Sequence, residues 1–233
     1  MVLPTNLKDK LDYIYNRIQV SATRSGRNPQ EIKLVAITKK FPVQIWEEAI
    51  KINLNTLGES RIQEAVKKTE NFSKRDKIKL HFIGHLQSNK VQKAVDIFDV
   101  IQTVDSIGLA KKINRTCKEN KKKQRIYLQV NIGYDQKKYG VSAKKATTLA
   151  QEITKMENLN LEGIMTIPPQ NISIKELRTI YNKTSKLRDK IYIKINKCCK
   201  YVSMGMSNDY EIAIEEGATH IRIGSGLFGE RPI

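Results

Sequence analysis

Eight short apolar runs rich in β-branched residues alternate with helical patterns along the chain, and that alternation leaves few folds open. Strands that alternate with helices form βαβ units around a parallel sheet. The strand candidates are residues 32–39, 56–59, 79–84, 100–104, 126–132, 161–167, 201–204 and 220–223. Helical spacing is read over 6–23, 62–69, 90–98, 107–120, 143–156, 174–193 and 209–216. A further helix carries Ile45, Ala49 and Ile50, with Pro42 placed for its first turn. Asn208 is a cap candidate for the last helix and Gly217 its stop.

This count predicts an α/β chain: a (β/α)₈ TIM-type barrel preceded by an additional N-terminal helix. An open doubly wound sheet satisfies the same alternation. The 233 residues suit one barrel domain spanning residues 1–233, since such barrels run to about 200–250 residues. No internal repeat or linker interrupts the pattern.

Composition narrows the setting. Cys117, Cys198 and Cys199 form a sparse, odd set that reads as reduced thiols in a cytoplasmic protein. The opening Met1-Val2-Leu3-Pro4 has no signal-like apolar run, and no stretch is long and apolar enough to span a membrane. Net charge is +18 and pI about 9.7. Basic clusters at 121–125, at Lys67-Lys68 and at 74–77 lack the interleaved aromatics that stack on bases, so they read as solvated surface rather than a nucleic-acid site.

Barrel enzymes place their chemistry at the C-terminal ends of the strands. Period-two alternation puts Val35, Ile37 and Lys39 on one face of the first strand. If that face looks inward, Lys39 is an amine at the mouth of an apolar interior, where desolvation favours its neutral, nucleophilic form. A surface lysine at a strand end is the plainer alternative. On the last strand His220, Arg222 and Gly224 share a face, and Gly224-Ser225-Gly226 opens a turn. With residues 203–207 after the seventh strand, these small, hydroxyl-bearing loops suit an anion. His81 and His85 lie four apart but lack companion ligands, so no metal site is expected. Glu59 is the likelier pocket carboxylate, and Glu64 reads as an exposed helix residue.

Several of these segments, in this order, resemble the YggS/PROSC family of pyridoxal phosphate homeostasis proteins, relatives of the alanine racemase barrel domain. The stretches at 34–39, 57–64, 81–90, 161–168, 203–207 and 222–225 carry the resemblance. It implies that Lys39 holds pyridoxal 5′-phosphate (PLP) as a Schiff base. It implies that Ser203, Gly224 and Ser225, with Ser207 helping, hold the phosphate, and that Arg222 faces the pyridine nitrogen. Ser60 and His85 depart from the family pattern. An arginine at the nitrogen leaves the ring a poor electron sink, which argues against transaminase or decarboxylase chemistry. The racemase takes a second acid/base group from a further C-terminal domain, and this chain ends at Ile233. The expectation is therefore a cytoplasmic, monomeric carrier that buffers PLP or delivers it to apo-enzymes, with weak amino-acid racemization and nucleic-acid binding as alternatives.

Overall fold

The computed structural model describes residues 6–133 and 138–230. The expectations for Met1–Pro4 and Ile233 lie outside them. The strands are β1 (Lys33–Ile37), β2 (Thr56–Glu59), β3 (Lys79–Phe82), β4 (Val100–Val104), β5 (Gln124–Asn131), β6 (Val141–Ser142), β7 (Leu159–Thr166), β8 (Tyr201–Ser203) and β9 (His220–Ile223). All described pairings are parallel, which requires a crossover between neighbours rather than a hairpin. The helices are α1 (Leu7–Arg24), α2 (Gln44–Lys51), α3 (Ile62–Glu70), α4 (Val91–Ile97), α5 (Ile107–Glu119), α6 (Ala143–Thr154), α7 (Ile174–Lys194), α8 (Tyr210–Glu215) and α9 (Ser225–Phe228).

Pairing runs β4-β3-β2-β1-β9-β8-β7-β5, and a β4–β5 contact closes the ring. The result is the expected eight-stranded TIM-type barrel. The two-residue β6, not anticipated from sequence, pairs with β5 at Val130 and Asn131, past the register where β4 ends. α1 is the additional N-terminal helix. Leu11, Ile14 and Ile18 form its buried stripe, and the Asn6 side chain caps it by accepting from the Asp9 amide. It lies against α8 and α9, where Arg17 grips both oxygens of Glu211 at 2.9 and 2.5 Å.

Alternation along the strands makes two cores. Leu34, Ala36, Leu57, Leu80, Ile101, Ile126 and Ile221 point outward and pack under the helices with Trp46 and Phe72. Inside the barrel sit Val100, Tyr127 and Met165. They share that interior with ring contacts among His81, Tyr127, Tyr201 and His220. Glycines make room where side chains crowd. A Cβ on Gly58 would lie 2.5 Å from Ile37 Cδ1, and one on Gly163 would lie 2.5 Å from the Tyr201 carbonyl oxygen.

Element ends differ from the sequence expectation where turn geometry decides them. β1 stops at Ile37, because Thr38 accepts from the Phe41 amide and Lys40 adopts φ +67°. Pro42 lies ahead of α2 rather than within its first turn. Asn208 does not cap α8, which starts at Tyr210 with no side-chain cap. Gly217 does end that region, at φ +101°.

Candidate functional site

A cleft of about 720 Å³ opens at the C-terminal mouth of the barrel. It follows from the closed topology, since every strand ends on the same rim. Lys39, Ser207, Arg222, Gly224 and Ser225 line it together, so five of the six site residues expected from sequence converge.

Each is set by its local backbone. Lys39 occupies the turn directly after β1 and is half-buried. Ser207 lies in the loop after β8, and Gly224 and Ser225 follow β9. Ser207 Oγ accepts from the Gly226 amide at 3.2 Å and lies 3.5 Å from Ser225 Oγ, which joins the two loops. Gly205, at φ +89°, makes the bend between β8 and Ser207. Its missing Cβ would sit 2.6 Å from Ala213 Cβ.

Arg222 forms the floor. It is 3% exposed, and its guanidinium donates to Ser203 Oγ at 2.8 Å and to the Thr166 carbonyl at 2.9 Å. Burial pulls its pKa down, while Tyr181 and Asp209 favour its charge. Ser203 in turn donates to Gln102 Oε1 at 2.6 Å, and the Gln102 amide meets His81 Nδ1 at 2.7 Å. A polar line therefore runs from the cleft floor into the barrel.

Four sequence expectations need correction. Ser203 does not join the other five at the cleft surface. It is fully buried beneath Arg222, because β8 meets β9 with Ser203 opposite His220, two residues below Arg222. Glu59 is not a pocket carboxylate. Its side chain leaves the barrel on the helix side and bonds Thr38 Oγ1 at 2.7 Å and Lys68 Nζ at 2.6 Å. Glu64 is not simply exposed, since its carboxylate accepts from the Lys40 amide at 2.5 Å and from Lys68 at 2.9 Å. Lys68, placed in a solvated cluster by the sequence, is buried.

The histidines separate. His81 is inside the barrel, whereas His85 stacks on Tyr139 at 3.6 Å outside it. Among the described residues no three His, Cys, Asp or Glu side chains gather as metal ligands. Sequence reasoning missed Ile83, Met206, Asp209 and residues 167–172, which complete the cleft wall. Asp209 accepts from the Met206 amide at 2.5 Å and so fixes the loop that carries Ser207. The Ser-Asn-Asp run at 207–209 held that signal, since such residues bond nearby backbone in turns.

A closed parallel barrel with a lysine, a buried arginine and two serine loops at one mouth defines a class. Residues 10–232 match the alanine racemase N-terminal domain family. The pyridoxal phosphate homeostasis protein of Aquifex aeolicus is 36% identical over 226 residues, covering 97% of this chain and 99% of that protein. Its counterpart in Escherichia coli K12 is 32% identical, covering 97% of each chain. The structure of PipY from Synechococcus elongatus with PLP bound superposes with a TM-score of 0.84 at 28% identity, covering 96% of this chain and all of that one. The chain belongs to the pyridoxal phosphate homeostasis protein family.

Proposed function

We propose that this protein binds PLP in the barrel-mouth cleft and acts in PLP homeostasis, holding the cofactor for delivery to apo-enzymes. One observation carries the reading: Lys39 lines the same cleft as Arg222, Ser207 and Ser225. The residues fit the group. A primary amine suits an aldehyde, two linked serine hydroxyls suit a phosphate, and a buried guanidinium suits a ring nitrogen. PipY, a relative, carries PLP in its structure.

When bound, the cofactor supplies a reactive aldehyde and an aromatic ring that can delocalise electrons. Lys39 would hold the aldehyde carbon covalently. Ser207, Ser225 and the Gly224 backbone would hold the phosphate. Arg222 would sit against the ring nitrogen and keep protons off it, because a guanidinium stays charged at working pH. Ser203 acts one step away, as an acceptor for Arg222.

As part of the same reading, the protein works as a cytoplasmic monomer. All three cysteines are free, in keeping with a reducing compartment. The exposed large apolar side chains on helices are divided among α1 (Tyr13, Tyr15, Val20), α5 (Ile107) and α7 (Ile174, Ile193). Among the described residues no helix is long and apolar enough to cross a membrane.

The test is to incubate the purified protein with PLP, reduce with borohydride and map the modified peptide, alongside Lys39→Ala. A pyridoxyl group on Lys39, absent in the variant, supports the reading. Transfer of the unreduced cofactor to an apo-enzyme supports delivery. A protein that takes up no PLP overturns the proposal.

A further inference from the structure

Lys68 sits on α3, facing the barrel wall below Lys39, and is 6% exposed. Its ammonium donates to the Thr38 carbonyl at 2.8 Å, to Glu59 Oε1 at 2.6 Å and to Glu64 Oε1 at 2.9 Å. Those three bonds use every donor a lysine has. Glu64 Oε1 also accepts from the Lys40 amide at 2.5 Å.

The partners are informative. The Thr38 carbonyl belongs to the peptide group that precedes Lys39, and the Lys40 amide to the one that follows it. Peptide groups are rigid planes, so fixing both leaves the Lys39 Cα little freedom in φ and ψ. One Lys68–Glu64 pair thus grips the backbone on both sides of a single residue. We propose that Lys68 and Glu64 are positioning residues for Lys39, holding its backbone so that its amine is aimed into the cleft. The proposal rests on the reading of Lys39 as the cofactor lysine.

The grip is anchored. Glu59 is fully buried and shares Oε1 between Lys68 and Thr38 Oγ1. Thr38 Oγ1 accepts from Trp46 Nε1 at 3.0 Å, and Lys68 Nζ lies 5.8 Å from the Trp46 ring centroid. Trp46 packs edge-on to Phe72 at 5.3 Å in the outer core. The clamp therefore takes its rigidity from helix–barrel packing rather than from the rim loops. It also explains Lys40, a non-glycine residue at φ +67° that the Glu64 bond can hold there. A buried ion pair kept only for stability is a poor bargain, because apolar residues of similar volume often serve as well. One that terminates on both peptide groups flanking the reactive amine has a use beyond stability.

The experiment compares wild type with Lys68→Met, Lys68→Arg and Glu64→Leu. Three quantities are measured in each. They are the rate of covalent PLP capture at Lys39 (by borohydride trapping), the calorimetric affinity for pyridoxine 5′-phosphate, and thermal unfolding. Pyridoxine 5′-phosphate has the ring and phosphate but no aldehyde, so it reads the cleft without Lys39. Lys68→Met is expected to slow capture at least about tenfold, since misplacing a reacting group by an ångström can cost more than that. Its pyridoxine 5′-phosphate affinity should stay close to wild type, and Lys68→Arg should recover part of the rate. Glu64→Leu should slow capture in the same direction, and it carries the test if Lys68→Met does not fold. Capture at the wild-type rate in folded variants overturns the positioning role alone. So does loss of pyridoxine 5′-phosphate binding in step with lost capture. A wild-type protein that captures no PLP overturns the cofactor reading itself.

Discussion

Arg222 Nη1 and Ser203 Oγ meet at 2.8 Å inside the barrel, and the serine hydroxyl donates its own hydrogen bond to Gln102 Oε1 at 2.6 Å. Both side chains are buried, so neither has water to fall back on. Ser203→Ala would leave Arg222 Nη1 without its serine acceptor, though Nη2 keeps the Thr166 carbonyl, and would leave Gln102 Oε1 without its donor. Buried polar groups left unpaired cost about 1–3 kcal/mol each. We expect Ser203→Ala to lower unfolding free energy by about 2 kcal/mol or more, read from urea melts at constant slope. An unchanged midpoint would mean that solvent or a shifted neighbour replaces the hydroxyl.

Ser207 differs from Ser203 in being at the cleft surface and, among the described residues, bonded to the opposite loop. Ser207→Ala should leave stability within about 0.5 kcal/mol, the usual range for a surface change. Its effect should fall on the phosphate. A lost hydrogen bond to a charged group is worth about 1.5–3 kcal/mol, so PLP affinity should drop roughly tenfold or more. Pyridoxal, which lacks the phosphate, should bind the two proteins equally. Equal losses for both ligands would remove Ser207 from the phosphate loops.

Gly58 faces Ile37 across the barrel wall. A Cβ there would stand 2.5 Å from Ile37 Cδ1 and 3.1 Å from Val35 Cγ1. Gly58→Ala must drive the isoleucine toward the cleft, and such overpacking costs about 1–3 kcal/mol. Ile37→Val removes the colliding methyl. The double variant should recover part of the stability lost by Gly58→Ala, a coupling that thermal melts of the four-protein cycle would reveal. Strictly additive losses would show that the strain lies elsewhere.

The barrel was legible because alternation of strand and helix is a local pattern, and so was the shared face of His220 and Arg222. Strand ends were less so. Whether β1 reaches Lys39 depends on the left-handed turn at Lys40, which Glu64 holds from a helix 24 residues away in sequence. Lys68 and Glu59 were illegible for the same reason. A lysine beside another lysine looks solvated until packing covers it, and a glutamate at a strand end gives no sign of which side its carboxylate takes. Ser203 was misplaced because its depth depends on the stagger between β8 and β9, which no single strand encodes.

The two histidines inside the barrel set the acid response. Burial holds His81 down at about 3 and His220 well below its ordinary 6.5. The His81 Nδ1 is placed to accept from the Gln102 amide, which suits the neutral ring. In the unfolded chain both rings protonate near their ordinary value. As pH falls below about 6.5, the unfolded state takes up protons that the folded state refuses, and stability drops. Above that pH their contribution is complete. Glu59 acts in the opposite sense, because burial raises its carboxyl pKa and the folded state then gains relative stability in acid. Comparing wild type with His81→Gln separates the two effects, since glutamine does not titrate. Between pH 7 and pH 5 wild type should lose about 2 kcal/mol more than His81→Gln, by proton linkage for one ring held neutral. Urea melts of both proteins at the two pH values measure the difference. Parallel losses would mean that His81 protonates within the folded barrel, and that the line from Gln102 through Ser203 to Arg222 must reorganise to admit the charge.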